Sequence, residues 1–367
     1  MKIGIDISQI QYEGTGVARY TLELVAELLQ QDKRNTYTLF YNSFHTRLKN
    51  IQSAQTILSS SARICEFSLP EKVLHVIWNT FSILSIEHFI GRQDIYFYSD
   101  WFTPPVNART FTTVHDLAFR LYPKTIHPYV RSSQEKRLNR ISKSKGNLIF
   151  TDSFSTRNDL QKYYSIPPNR IKVIYPGVTS KKQNTEKVKK TLQRFELRER
   201  EFILVVGTLE PRKNLSRLFE AYTNIKGDFP LIVVGKGGWG SLSVKDSRVQ
   251  MIGFVDDEEL FALYQSAIFF VMPSLYEGFG FPVVEAMSLG CPVCLSKTSS
   301  LVEVGSDAAV YFNPLSVSDM VRVLQIMLTD SALRKKNIQK GIVQARKFNW
   351  TVTAKQVIRE FNRVESI

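Results

Sequence analysis

The chain has few cysteines, no long apolar run and too few acids to balance its bases, and each shortage removes a class of protein. Its 367 residues include three cysteines, Cys65, Cys291 and Cys294, too few and too unevenly spaced for a disulfide framework. Cys291-Pro-Val-Cys294 spells C-x-x-C, but it falls in a stretch that reads as a strand rather than at a helix start, so both thiols are expected in the core. No uncharged apolar run reaches about 18 residues, the length needed to span a bilayer. The opening Met1-Lys2-Ile3-Gly4-Ile5-Asp6 lacks the charged region, apolar stretch and cleavage site of an export signal. The expectation is a cytoplasmic protein, at most peripheral on the inner face of the cell membrane. Hydrophobic residues at 43% and charged residues at 22% fit a globular chain long enough for two α/β domains.

The shortage of acids leaves a net charge of +14. Between Arg120 and Lys145 stand eight bases, Arg120, Lys124, Arg131, Lys136, Arg137, Arg140, Lys143 and Lys145, against the single acid Glu135. No nucleic-acid motif accompanies them, so nucleic acid is not expected as a partner. An anionic membrane surface is the favoured explanation, and a solvated basic face with no partner is the alternative.

Lys2 to Ile7 reads as a strand, followed by Gly14-Thr15-Gly16 and a helix from Val17 to Leu29 with one apolar face. This is a Rossmann-like opening without the dinucleotide fingerprint, because Arg19 stands where a third glycine belongs. Further strands are expected at Tyr37–Tyr41, Ile95–Tyr98, Thr110–Val114, Asn147–Thr151 and Ile171–Tyr175, with a basic helix over Tyr129–Ser144. His115 leaves the Thr110–Val114 strand at its carboxyl end, where a neutral imidazole can bond a ligand hydroxyl. Ser153 or Ser155 caps the next helix. The first half closes at Pro176-Gly177-Val178, and a charged linker with a short helix follows to about Arg200.

The second half opens with the apolar strand Phe202–Val206, which runs into Gly207-Thr208-Leu209-Glu210-Pro211-Arg212-Lys213-Asn214. Arg212 can fork onto phosphate oxygens while Lys213 acts as a point charge. Strands follow at Leu231–Val234 and Val249–Val255. Gly235-Lys236-Gly237-Gly238-Trp239-Gly240 fits G-x-G-x-x-G literally, but no amphipathic helix follows, so a loop is expected and not a nicotinamide site. Beyond the buried strand ending at Met272 lies Glu277-Gly278-Phe279-Gly280-Phe281-Pro282, opening a helix that carries Glu285 and stops at Gly290 and Pro292. The helix start offers N–H groups to an anion. Gly278 and Gly280 allow close approach or positive φ. The two glutamates can accept from hydroxyls on either side of a diphosphate, which is the layout of a nucleotide sugar. The plain alternative is a solvated loop acid and a helix surface acid. A small edge strand at Val310–Phe312 and two helices complete the expected chain.

Two glutamates separated by seven residues in Glu-Gly-Phe-Gly-x-Pro-x-x-Glu-Ala resemble the donor-site motif of glycosyltransferase family 4, retaining enzymes with the GT-B fold. Gly-x-x-x-x-x-Lys-Asn at Gly207–Asn214, the pair His115-Asp116 and Phe348-Asn349-Trp350 are similar to further parts of that family's pattern. The resemblance implies an α/β GT-B fold: an acceptor-binding Rossmann-like domain at 1–176, a nucleotide-sugar-binding one at 177–345, a central cleft, and a C-terminal helix at 346–367 crossing back to the first. It implies Arg212 and Lys213 on the diphosphate, Glu277 on the sugar, Glu285 on the ribose, and His115 on the sugar from the first domain. Gly14, Thr15, Gly16, Gly278, Phe279 and Gly280 complete the donor site. It implies transfer of a hexose, with mannose from GDP-mannose favoured, to a lipid-linked saccharide or polysaccharide, without a cofactor. No Asp-x-Asp occurs, so no metal is expected. Another GT-B activity, such as a sugar-nucleotide epimerase, and a non-catalytic sugar-nucleotide binding protein are the alternatives.

Overall fold

A computed structural model of the chain describes residues 1–98, 102–144, 146–235, 237 and 246–363. It divides into two compact units, one formed by Met1–Gly177 with Asn349–Ile367 and the other by Val178–Phe348. The first contains β1 (Lys2–Asp6), β2 (Thr36–Asn42), β3 (Arg63–Phe67), β4 (Ile95–Tyr98), β5 (Arg109–Val114), β6 (Leu148–Thr151) and β7 (Ile171–Val173). They form one sheet in the order β3-β2-β1-β4-β5-β6-β7, and the pairings are parallel. A parallel sheet needs crossover connections, which cover both faces and make its strands continuously apolar. In β4, Tyr96 and Tyr98 join the cluster around Trp78, while Phe97 turns to Phe361 of the C-terminal helix, ring centroids 5.9 Å apart.

The second unit repeats the plan with β8 (Ile203–Val206), β9 (Leu231–Val234), β10 (Val249–Gly253), β11 (Phe269–Met272), β12 (Val293–Ser296) and β13 (Ala309–Phe312). Their order is β10-β9-β8-β11-β12-β13, again parallel. Met320, Val323, Leu324 and Met327, at helical spacing on Val317–Thr329, close one face over Ile203, Val205 and Leu231.

Several expectations are corrected. Between the expected strands Tyr37–Tyr41 and Ile95–Tyr98 lies a further one, β3. At the sheet edge none of its five residues is buried, and Arg63 and Glu66 interrupt the apolar run that marks the other strands. Among the described residues three helices follow β13 rather than two: Val317–Thr329, Ser331–Ala345 and Trp350–Asn362. The basic stretch is not uniformly a surface. Arg137 is buried and donates to Thr112 Oγ1 at 2.8 Å and Thr113 O at 2.9 Å. Arg140 binds the carbonyls of Trp78, Asn79 and Thr103 at 2.7–3.0 Å. Both cations brace the fold. Lys145, and in the Gly235–Gly240 stretch Lys236, Gly238, Trp239 and Gly240, lie outside the described residues.

The chain leaves the first unit after Gly177 and returns at Asn349, and the two crossing segments bond through Val178 N–H to Phe348 O at 3.2 Å. Asn349 then caps the helix Trp350–Asn362, accepting from Thr351 N–H at 2.8 Å. Trp350 meets Tyr20 edge-on at 5.7 Å, Phe361 meets Phe111 at 4.9 Å, and Thr353 Oγ1 donates to Tyr175 O at 2.7 Å. A Cβ added at Gly177 would lie 2.2 Å from Trp350 N and 2.6 Å from its Cα, inside backbone that cannot swing aside. Gly177→Ala is therefore expected to destabilise the first unit by about 1–3 kcal/mol, the usual range for overpacking. A thermal melt should register this as a drop of several degrees, and an unchanged melting temperature would show that the helix docks without this close approach.

Candidate active site

In both sheets the strand order reverses next to the first strand of the unit, between β1 and β4 and between β8 and β11. Loops leaving such a pair run in opposite directions and open a crevice at the carboxyl ends. In the second unit Ile203 of β8 pairs with Phe269 of β11. The loop carrying Arg212 and Lys213 thus meets the loop carrying Glu277, although the two are far apart in sequence.

Lys213 Nζ donates to Glu277 Oε1 at 2.8 Å, and Arg212 Nη1 donates to Glu277 Oε2 at 3.0 Å. Arg212 also donates through Nη1 to Tyr276 O and through Nη2 to Glu210 Oε1, each at 2.5 Å. Glu277 is 7% exposed, which excludes the solvated-acid reading. Burial alone would raise its pKa, but the charges of Arg212 and Lys213 overcome it and hold the carboxyl at about 2. The sequence reading treated the cations as bare. The structure pairs them, two acids with two bases, so the cluster is neutral and its geometry is set before any ligand arrives.

The loops are tied to each other and to the helix Ser299–Gly305, which follows β12. Asn214 adopts a left-handed conformation at φ 60° and its Nδ2 donates to Pro273 O at 3.0 Å and Pro314 O at 2.8 Å. Leu275 N–H donates to Arg212 O at 2.8 Å. Ser299 Oγ accepts from Glu277 N–H at 2.9 Å, and Ser300 Oγ donates to Glu277 O at 2.8 Å and Phe279 O at 2.9 Å. Sequence reasoning missed Glu210, Ser299 and Ser300 as positioning residues. Contact across 22 residues, from Glu277 to Ser299, leaves no local trace in the sequence. Gly280 has φ 109° and begins the helix Phe281–Ser288, a backbone state that glycine alone adopts freely. Gly278 lies between Glu277 and Phe279 in the same loop. Phe279 turns its ring inward, edge-on to Phe281 at 5.2 Å and Phe348 at 5.3 Å, so it anchors the loop. Glu285 is 2% exposed, not a surface acid, and Tyr264 OH approaches its carboxylate at 3.3 Å.

In the first unit Gly14 has φ 81° and Thr15 caps the helix Gly16–Gln31, its Oγ1 accepting from Ala18 N–H at 3.2 Å. His115 follows β5 and Asp152 follows β6, and the pairing of Val114 with Thr151 sets them side by side. His115 Nδ1 lies 2.6 Å from Asp152 Oδ2. A carboxylate there draws the ring proton to Nδ1 and makes Nε2 the acceptor of the neutral imidazole. Asp152 stands just before the cap Ser153, and nothing local marks it as the partner of His115. A cavity of about 230 Å³ at the carboxyl end of β1 is lined by Gln9, Tyr12, Glu71, His75, Phe102 and Tyr129 among others, none of them picked out by sequence. Cys291 and Cys294 are buried, and burial pushes the Cys291 thiol up to about 12, which keeps it inert.

Two family models match, glycosyltransferase family 4 over residues 14–182 and glycosyl transferases group 1 over residues 188–344. The chain belongs to the group 1, family 4 glycosyltransferases. It is an enzyme of that family, and its fold is GT-B. O-antigen chain mannosyltransferase B of Escherichia coli is 28% identical over 98% of this chain and 99% of its own. The serotype-specific mannosyltransferase WbdA of Escherichia coli is 31% identical over 76% of this chain, which spans 36% of that longer relative. HepE of Anabaena, solved with UDP and glucose, has a TM-score of 0.73 and 16% identity, covering 99% of this glycosyltransferase and 100% of that chain. Among the described residues no helix is long and apolar enough to cross a membrane.

The ion cluster makes the second unit acid-sensitive in a defined window. Because the Glu277 carboxyl sits at about 2 in the fold against an ordinary 4.5, the unfolded chain binds the extra proton first. The stabilisation is complete above about pH 4.5 and is lost as pH falls toward 2, and at 1.4 kcal/mol per unit it amounts to about 3 kcal/mol. Glu277→Gln should melt below the parent at pH 7, with the gap closing between pH 4.5 and 2. A gap that ignores pH would mean the carboxylate is not held by its two cations.

Proposed function

We propose that this glycosyltransferase moves a hexose, mannose from GDP-mannose, to a lipid-linked saccharide or polysaccharide acceptor, with retention and without a metal ion. The observation that carries the reading is the Glu277, Arg212 and Lys213 cluster at the crevice of the second sheet. The end-to-end likeness to an O-antigen chain mannosyltransferase supports mannose and a saccharide acceptor.

Transfer breaks the bond between the sugar's anomeric carbon and the phosphate oxygen, so the phosphate gains charge as the ring becomes cationic. Arg212 and Lys213 stabilise the departing diphosphate, aided by the N–H groups that open the helix after Gly280. The phosphate replaces part of the carboxylate contact these cations make with Glu210 and Glu277. Fixed cations do here what a divalent ion does elsewhere. Glu277, ionised at every working pH, accepts from sugar hydroxyls and donates no proton. Glu285, a buried carboxylate that gains from hydroxyl donors, takes the ribose. His115, fixed by Asp152, accepts from a sugar hydroxyl through Nε2, and Gly14, Thr15 and Gly16 border the donor phosphates and sugar. The acceptor hydroxyl attacks from the leaving-group face and its proton passes to the departing phosphate. The cavity at the carboxyl end of β1 receives the acceptor, and a lipid-linked acceptor places the enzyme at a bilayer.

Arg212→Ala and Lys213→Ala should each lower kcat/KM by an amount equivalent to about 2–4 kcal/mol, the range for removing one preorganised charge. Steady-state rates near the parent's for both would refute the cation site. In a thermal-shift comparison of GDP, UDP and ADP with their sugars, GDP-mannose should raise the melting temperature most. Transfer should persist in EDTA. A larger shift with a uridine donor would correct the base, and loss of activity in EDTA restored by Mg²⁺ would overturn the metal-free reading.

A further inference from the structure

The segment 71–84 of the first unit exposes apolar side chains in a way its own backbone works to maintain. Val73, Val76, Phe81, Ile83 and Leu84 are all exposed, Phe81 at 66% and Ile83 at 57%. The π-helical turn His75–Phe81 ends at Ser82 with φ 56°, and Leu84 has φ 63°. Left-handed conformations are costly for such residues, above all for leucine, and persist where the surroundings impose them. Trp78 is the fixing point: its ring is buried, and its Nε1 donates to Leu84 O at 2.8 Å. The turn is thus clamped from inside while its apolar side chains face solvent.

Beside it runs the cationic helix Pro128–Lys143. Arg140 staples the helix to the turn through the carbonyls of Trp78 and Asn79. His75 and Tyr129 lie with ring centroids 5.6 Å apart. Burial, and then the charge of Lys136 beside it, lowers the His75 pKa, which locates Lys136 next to the turn. Arg131, Lys136 and Lys143 are exposed, as is Lys72 on the turn's own segment. The two segments hold only two acids: Glu135 is paired with Arg120, and Glu71, which accepts from Tyr12 OH, is one charge against these four cations. An apolar wedge bordered by an excess of cations is the chemistry of a surface that enters the interface of an anionic bilayer.

We propose that Val73, Val76, Phe81, Ile83 and Leu84, with Lys72, Arg131, Lys136 and Lys143, form the surface by which the protein docks on an anionic lipid membrane. This deepens the reading of a membrane-borne acceptor and rests on it only for its purpose. Glu71 and His75 line the cavity while Val73 and Val76, on the same helical turns, belong to the wedge. A bilayer that receives the wedge therefore lies against the cavity's rim.

The test is flotation of the full chain with phosphatidylcholine vesicles, with and without phosphatidylglycerol and free of any acceptor. The parent should bind the anionic vesicles and be released in part by salt. Phe81→Ser with Ile83→Ser, and separately Lys136→Glu with Lys143→Glu, should each weaken binding roughly tenfold or more. Val343→Ser, at an exposed apolar position of the second unit, should bind like the parent. No binding by the parent, or unchanged binding by both double variants, would overturn the proposal. So would a patch that governs self-association, seen as a variant-dependent mass without lipid and unchanged vesicle binding. Transfer to a short water-soluble acceptor, assayed alongside, separates the two readings: its absence in the parent with vesicle binding intact would sink the proposed transferase specificity and leave the docking surface standing.

Discussion

A buried carboxylate clasped by two cations is the constraint on which the second unit's chemistry depends. Glu277 would be intolerable in that position alone, and Arg212 and Lys213 would repel one another beside a buried sheet. Together they form a neutral group whose members fix one another's positions. Asn214 and the hydroxyls of Ser299 and Ser300 extend the same economy to the backbone, so that the loops after β8 and β11 behave as one body. A site held this way needs little rearrangement when charge develops on a leaving group.

The first unit uses the same device with different residues. His115 and Asp152 leave adjacent parallel strands at the same level and bond at 2.6 Å. In both units the polar pair is created by strand adjacency at a carboxyl edge, where side chains are released from the close packing of the sheet. The tying residues lie on the following helix starts: Ser299 and Ser300 in one case, and in the other Thr156, whose hydroxyl donates to His115 O. The architecture thus supplies acid–base pairs at strand ends and holds them with hydroxyls from the first turns of helices, which bond the loop backbone.

Much of this was legible in residues alone because the signals were local. Apolar runs such as Leu231–Val234 and Ile95–Tyr98 are buried strands, and a parallel sheet covered on both faces demands such runs. Ser153 reads as a helix cap and is one, accepting from Thr156 N–H. The failures share a cause. β3 was hidden because an edge strand is wet on one side and does not need to be apolar. Arg137 and Arg140 were counted as surface charge because only tertiary contact reveals that their guanidinium groups meet buried oxygen atoms.

The division follows from the range of the forces involved. Hydrophobic period, glycines at turns and the company of Glu277 and Glu285 are properties of neighbouring residues, and by themselves they determined two doubly wound sheets, their loops and the family. Which charges are paired was decided only by folding. Sheet order sets β8 against β11 and β5 against β6, and the free energy of a buried ion depends on the partner that adjacency supplies. Lys213 bound to Glu277, His115 bound to Asp152, and an apolar turn held open beside a cationic helix are facts of the tertiary structure.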